Sequence, residues 1–160
     1  MPGHQAWSVE AAASLLRTLP PAERLILPAL QHVQHAFGWI PDEAVDLIAA
    51  ELNVSRAEVV GVLTYYHDLR QSPPAPVVVQ ICVAEACQAE GTRELVAAIE
   101  GAYDVTLGVE THVGEVEFDK VYCFGNCALG PAAMVNGRLL GRCDMALLQS
   151  AIDSAQAVRS

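Results

Sequence analysis

The chain has 160 residues, which is enough for one ordinary domain or two small ones. Its formal net charge of −10 argues against nucleic-acid binding, which needs a basic face, and against attraction to an anionic membrane surface. Apolar residues make up 52% of the chain, yet no apolar run reaches the roughly 20 residues that span a bilayer. The N-terminus lacks the pattern of a secretory signal, so we expect a cytoplasmic protein with no membrane insertion and no nucleic-acid partner.

Residues 8 to about 70 show helical periodicity in four short segments. Ser8 can cap the first helix, Gly38 ends the second, and Pro41 opens the third. Ser55 and Glu58 form a capping box that begins the fourth. The apolar positions expected on buried faces are Ile26, Leu30, Val33 and Phe37 in the second helix, Ala44, Leu47, Ile48 and Leu52 in the third, and Val59, Leu63 and Tyr66 in the fourth. Each helix is short, so we expect the four to pack together as a small bundle.

A proline-rich break at 71–76 cannot continue a helix and separates this bundle from the rest of the chain. We therefore place a domain boundary here, with a helical bundle at 1–72 and a second domain at 73–160.

The second domain begins with a β-branched run at 77–81, which is typical of a strand buried on both faces. A helix is expected from Gly91 to Gly101, with Leu95, Ile99 and Ala102 facing inward. Alternating apolar residues predict strands at 105–109 and from 116 to Cys123. The pair Asn136-Gly137 predicts a two-residue hairpin, and Asp144 can cap a last helix that carries Met145, Leu148, Ile152 and Ala155 on one face. This order predicts a mixed sheet flanked by helices, compatible with a thioredoxin-like α/β layout.

Five cysteines occur in the chain, and four of them form two close pairs. Cys82 and Cys87 have four residues between them, whereas Cys123 and Cys127 have three. Cytosolic thiols stay reduced, so metal binding or redox chemistry is favoured over structural disulfides. Four thiolates suit either a [2Fe-2S] cluster or a tetrahedral zinc ion. Both pairs are expected where a strand gives way to a loop. Cys143 stands apart and is interpreted as a buried thiol.

The spacing of the pairs favours the cluster, because neither spacing is the commonest zinc pattern, but it leaves zinc open. The charge on a cluster requires hydrogen-bond donors that point at sulfur. Glycines allow backbone N–H groups to approach closely, and Gly91, Gly125 and Gly130 lie where that would help. Pro131 would stiffen the second loop.

Other polar and aromatic residues are better explained by ordinary structural roles than by ligand binding. They are the helix pair His32 and His35, the lone residues His67 and His112, the acidic Glu85 and Glu90, and the aromatic residues Trp39, Tyr65 and Tyr66. The chain contains no nucleotide-binding motif and no nucleophile beside a base, so we expect no active site of its own.

The motifs around the cysteines and in the helical region together resemble one known family. They are the segments 38–41 (Gly-Trp-Ile-Pro), 61–66 (Gly-Val-Leu-Thr-Tyr-Tyr), Cys82-x4-Cys87, Cys123-x3-Cys127, 130–131 (Gly-Pro) and 135–137 (Val-Asn-Gly). This set resembles the thioredoxin-like 2Fe-2S subunit family of NADH dehydrogenase, the small partner of the flavin subunit in respiratory complex I. Residues 84–88, Ala-Glu-Ala-Cys-Gln, are most similar to its branch in NAD-dependent formate dehydrogenases, the gamma subunits.

The resemblance implies a thioredoxin-like 2Fe-2S domain after an N-terminal helical bundle. It makes Cys82, Cys87, Cys123 and Cys127 the ligands of one 2Fe-2S cluster and gives Cys143 no ligand role. It further implies an electron-transfer subunit docked on a flavin and NAD-binding subunit that carries FMN and NAD. Through that subunit it would reach a larger iron-sulfur and molybdenum catalytic subunit. Complex I and a bidirectional NAD-linked hydrogenase remain alternatives, and a zinc-stapled assembly module is the alternative from another class.

Overall fold

The computed structural model describes residues 4–108 and 112–158. The chain forms two compact units that divide between Pro74 and Ala75. The first unit is helical, and the second contains a five-stranded sheet with three helices. No helix in the described part of the chain combines the length and the apolarity needed to cross a membrane.

The first unit contains four α-helices that begin and end largely where the sequence predicts. They are α1 (Val9–Thr18), α2 (Ile26–Phe37), α3 (Asp42–Leu52) and α4 (Arg56–Tyr65). The Ser8 side chain accepts a hydrogen bond from the Ala11 N–H, and Gly38 ends α2 in the left-handed conformation. The Ser55–Glu58 capping box is complete at the start of α4.

The core of this unit is formed by the predicted apolar faces, with two differences. Tyr66 was expected on the buried face of α4, but it follows the last turn of the helix and is exposed. Val45 is buried in α3 together with Ala44 and Ile48. The buried face of that helix therefore includes a residue that the apolar pattern did not predict. Leu69 closes the core after the helix ends.

The second unit has a sheet with strand order β2-β3-β1-β4-β5. The strands are β1 (Val77–Cys82), β2 (His112–Val113), β3 (Val116–Val121), β4 (Ala133–Val135) and β5 (Arg138–Leu140); the helices are α5 (Glu85–Ala89), α6 (Thr92–Tyr103) and α7 (Met145–Ala157). Strand β1 pairs in parallel with β3 and antiparallel with β4. The predicted hairpin at Asn136-Gly137 joins β4 to β5, with positive φ at both residues as a two-residue turn of this type requires.

The core of this unit lies between one face of the sheet and the helices α6 and α7. Val77, Val79 and Ile81 of β1 are fully buried in it, whereas the alternate residues Val78 and Gln80 are only half-buried. The prediction of a strand buried on both faces is therefore wrong for one face, although β1 is the central strand.

Two further predictions for this unit differ from the structure. The alternating residues at 105–109 form no described strand: Val105 and Leu107 are buried in a turn region, and Val109 lies outside the described residues. Ala102 was expected to face inward on α6, but it is exposed, and the half-buried Tyr103 packs on the core instead. Strand β3 ends at Val121, two residues before Cys123.

Candidate functional site

The two cysteine pairs lie at the same edge of the sheet, because their loops follow two adjacent parallel strands. Cys82 is the last residue of β1, and its partner in the β3 register is Val121. Cys123 follows two residues later. Since the carboxyl ends of neighbouring parallel strands meet at one edge, the fold brings together loops that are far apart in sequence.

The first pair is buried and held by main-chain hydrogen bonds. Cys82 and Cys87 are each 1% exposed. The Cys82 N–H donates to Ala132 O at 2.9 Å, and the Val83 N–H donates to Val121 O at 2.8 Å. Cys87 lies on α5, a short helix that the sequence pattern did not reveal. Burial, and then the neighbouring Cys82 thiol, raises the pKa of Cys87.

The second pair is exposed and lies on an irregular loop. The Sγ atoms of Cys123 and Cys127 are 3.6 Å apart. The Gly125 N–H donates to Cys123 Sγ at 3.2 Å, which is the close approach predicted for this glycine. Gly125 has a φ of 79°, which a residue with a side chain rarely adopts. The hydrogen bond with Cys123 is the main cause that raises the pKa of Cys127.

The second loop lies directly against the first at Gly130. A Cβ atom at Gly130 would be 3.4 Å from Cys87 Cα and 3.2 Å from Glu90 Cβ, so only glycine fits here without displacing a neighbour. The Cys143 N–H donates to Pro131 O at 2.8 Å and fastens the loop to the segment after β5. The role expected of Gly130 was hydrogen bonding to sulfur, and this close contact was missed because spacing along the chain does not reveal it.

The sulfur separation in the second pair suits two ligands of one metal ion. Two thiolates on one tetrahedral metal stand about 3.8 Å apart when each metal–sulfur bond is about 2.3 Å, which is close to the separation in the second pair. In residues 4–108 and 112–158, no three or more His, Cys, Asp or Glu side chains are arranged to hold a single metal ion. The pairs nevertheless influence each other electrostatically, since Cys82 contributes to raising the pKa of Cys127. Two adjacent cysteine pairs supply the four thiolates that a [2Fe-2S] cluster requires.

The remaining sequence-predicted residues lie outside this arrangement. Cys143 is buried as expected, and its thiol contacts Asp144 O; burial raises its pKa to about 11. The Gly91 N–H donates to Gln88 O, so its expected role as a donor to sulfur is wrong.

His32 contacts Glu23 at 2.6 Å, and the His112 ring lies 3.4 Å from Glu117. Glu85 and Glu90 are exposed, as are His35, His67, Tyr65 and Tyr66, whereas Trp39 is half-buried.

Comparison with known proteins identifies relatives in NAD(P)-linked enzymes. The chain is 29% identical over 126 residues to the HndA subunit of the NADP-reducing hydrogenase of Solidesulfovibrio fructosivorans, covering 79% of this chain and 74% of the relative. It is 32% identical over 110 residues to one of the subunits of the NADH-quinone oxidoreductase of Escherichia coli K12, covering 69% and 66% respectively.

The fold has a solved counterpart in a much longer chain. A crystal structure of NAD+-reducing [NiFe]-hydrogenase in the air-oxidized state matches with a TM-score of 0.67 at 22% identity, covering 87% of this chain and 24% of that chain. The family model of the thioredoxin-like [2Fe-2S] ferredoxins matches residues 12–156, which is nearly the whole sequence and includes all four paired cysteines. The chain therefore belongs to the thioredoxin-like [2Fe-2S] ferredoxin family.

Proposed function

We propose that Cys82, Cys87, Cys123 and Cys127 hold one [2Fe-2S] cluster and that the chain is an electron-transfer subunit of a multi-subunit NAD-linked oxidoreductase. The observation that carries the proposal is the meeting of two cysteine pairs at one edge of the sheet, with 3.6 Å between the sulfurs of the second pair. When bound, such a cluster supplies reversible one-electron reduction.

The two cysteine pairs have different surroundings, so the two sides of the site have different roles. The buried pair, with its main-chain anchors and with Ala132 packed against it, excludes water from one side. The exposed pair presents its sulfurs to the outside of the protein, beside the exposed side chains of Tyr122 and Leu129. The Gly125 N–H donates to Cys123 sulfur, and such a donor would stabilise the negative charge of a bound cluster.

The partner is proposed to be a flavin and NAD-binding subunit that carries FMN and NAD, in a cytoplasmic complex. Support comes from the relatives, whose names are those of subunits of an NADP-reducing hydrogenase and of NADH-quinone oxidoreductases. This chain spans 66–74% of those relatives and 24% of the solved hydrogenase chain, so the activity of the whole complex belongs to the proposal.

For the complex as a whole we propose NAD-dependent formate oxidation, with a molybdenum-containing catalytic subunit. The support is the Ala84–Gln88 stretch, which resembles the formate dehydrogenase gamma branch. The similarity to HndA over 79% of this chain makes a hydrogenase complex the second candidate.

Metal analysis of the anaerobically purified chain tests the cluster. We expect about two irons and two acid-labile sulfides per polypeptide and a brown colour. One zinc ion and no sulfide per polypeptide would show instead a non-redox assembly module with a structural zinc site.

The substrate is tested on the complex purified from its own cells through a tag on this chain. Formate-dependent formation of NADH supports the finer proposal. Hydrogen-dependent formation of NADH without a response to formate would assign the chain to a hydrogenase. Electron transfer from NADH to quinone, with neither substrate active, would assign it to a complex I-type enzyme.

A further inference from the structure

A groove of about 330 Å³ runs along α6 beside the end of β3. Val96 and Leu107 give it an apolar floor, and Arg93 and Lys120 line it with positive charge. Val83 and Tyr122 also line it, and they directly follow Cys82 and precede Cys123 in the chain. The groove therefore begins beside both cysteine loops.

The positive charge of this groove is exceptional in its surroundings. Residues 75–160 contain eleven Asp and Glu residues against five Lys and Arg residues, and two of those five line the groove. Glu100 is the one carboxylate in its lining, and Glu100 Oε1 accepts the Leu107 N–H at 2.9 Å. The unit as a whole repels acidic partners, whereas the two cations of the groove would attract an acidic segment.

Both cations of the groove are exposed. Among the described residues, neither Arg93 nor Lys120 forms an ion pair with a carboxylate; Arg93 Nε donates to the neutral Gln88 Oε1 at 3.0 Å. The Lys120 side chain lies across Gly108, where a Cβ atom would be 2.6 Å from Lys120 Cε. The glycine at this turn thus leaves room for the lysine side chain.

A polar group without a partner lies in the same wall. Thr92, in the first turn of α6, is 1% exposed, and its hydroxyl has no hydrogen-bond partner in the described part of the chain. A buried hydroxyl without a hydrogen-bond partner destabilises the fold.

We propose that this groove is the docking site for an acidic segment of the partner subunit, with carboxylates paired to Arg93 and Lys120 and an apolar side chain against Val96 and Leu107. The inference rests on the proposed function, because it names where the flavin and NAD-binding partner is held. A segment seated here would lie beside the exposed cysteine pair and cover the exposed Tyr122 ring.

Charge reversal at the groove tests this on the full-length chain and on the purified flavin and NAD-binding subunit of its own complex. Arg93→Glu and Lys120→Glu should each weaken binding tenfold or more, and the difference should shrink at high salt. Arg138→Glu is the matched control, since Arg138 is an exposed residue on β5 outside the groove and undergoes the same charge change. It should bind within twofold of the wild type.

A photo-crosslinking residue at Val96 identifies the occupant. We expect a crosslink to a partner peptide rich in Asp and Glu. Equal weakening by all three charge reversals, a crosslink to a basic peptide, or binding of small carboxylates with no effect of the variants on the partner would overturn the docking site. Iron and sulfide are measured in every preparation. If the variants carry a normal cluster and bind the partner normally, the docking site is wrong but the proposed function stands. If the wild-type chain holds no iron, the proposed function is wrong, and the binding comparison still tests the docking site.

Discussion

The two cysteine pairs are chemically alike but differ in their surroundings. Cys82 and Cys87 are buried and pack against Ala132, and the Cys82 N–H at the end of the central strand donates to Ala132 O. Cys123 and Cys127 are exposed on a loop whose conformation depends on a glycine with positive φ. The first pair is thus part of the folded core of its unit, whereas the second is presented outward. This difference indicates that a cluster held here would have one protected side and one exposed side.

The largest expected effect is loss of the cluster when any paired cysteine is replaced. Cys82→Ser and Cys127→Ser each remove one thiolate from a different pair, so both should lose most of the iron and sulfide or shift the visible spectrum. Cys143→Ser is the control, because this buried thiol donates its described hydrogen bond to the backbone oxygen of Asp144 and not to a paired cysteine. Metal analysis of the three variants checks the prediction, and equal loss in all three would contradict the assignment.

The second prediction separates the pairs in the metal-free chain. Cys82→Ser places a hydroxyl in a buried site and should lower the free energy of unfolding by about 1–3 kcal/mol. Cys123→Ser changes an exposed side chain and should stay within about 0.5 kcal/mol. Urea unfolding measures both. Similar decreases in the free energy of unfolding of the two variants would show that the pairs do not differ in burial.

The third prediction concerns the loop that carries the exposed pair. Gly125→Ala forces a side chain into the left-handed region, where the cost is about 1–2 kcal/mol, although the space around it is open. Gly101→Ala is the matched control in helix α6, where open space and helical backbone predict a stabilisation of about 1 kcal/mol. Thermal unfolding of the two variants should therefore shift in opposite directions.

The smallest effect is a change in the pH dependence of alkylation in the metal-free chain. The hydrogen bond with Cys123 raises the pKa of Cys127, so its thiolate forms at a higher pH than that of an ordinary thiol. Cys123→Ala removes this cause, and the pH at which Cys127 begins to react should fall. Cys143, with a pKa of about 11, should stay unreactive at neutral pH in both proteins. Peptide mass analysis after alkylation at several pH values checks this, and an unchanged profile for Cys127 would contradict the cause given.

The helices could be predicted from sequence because their signals are local. Caps such as Ser8, the Ser55–Glu58 box and Asp144 are recognisable from a few neighbouring residues, and the structure confirms each of them. The hairpin at Asn136-Gly137 is equally local. The strand expected at 105–109 does not form in its described part, where the alternating residues Val105 and Leu107 are buried in a turn region, whereas the edge strand β2 has only two residues.

The site could be predicted only in part from the sequence, because only some of its contacts are local. The cysteine spacing and the Gly125 donor could be predicted, since both lie within one loop. The contact of Gly130 with Cys87 and the register of β1 with β3 depend on residues more than 30 positions apart. The short helix α5 has too few residues to show a period, so its presence follows only from the tertiary structure.

A Mössbauer spectrum of the reduced chain, grown with isotopically enriched iron, tests most directly whether each pair holds its own iron. The account predicts two iron signals of equal intensity with different electronic environments, one from the protected pair and one from the exposed pair. A single signal from one iron bound by four thiolates would contradict it.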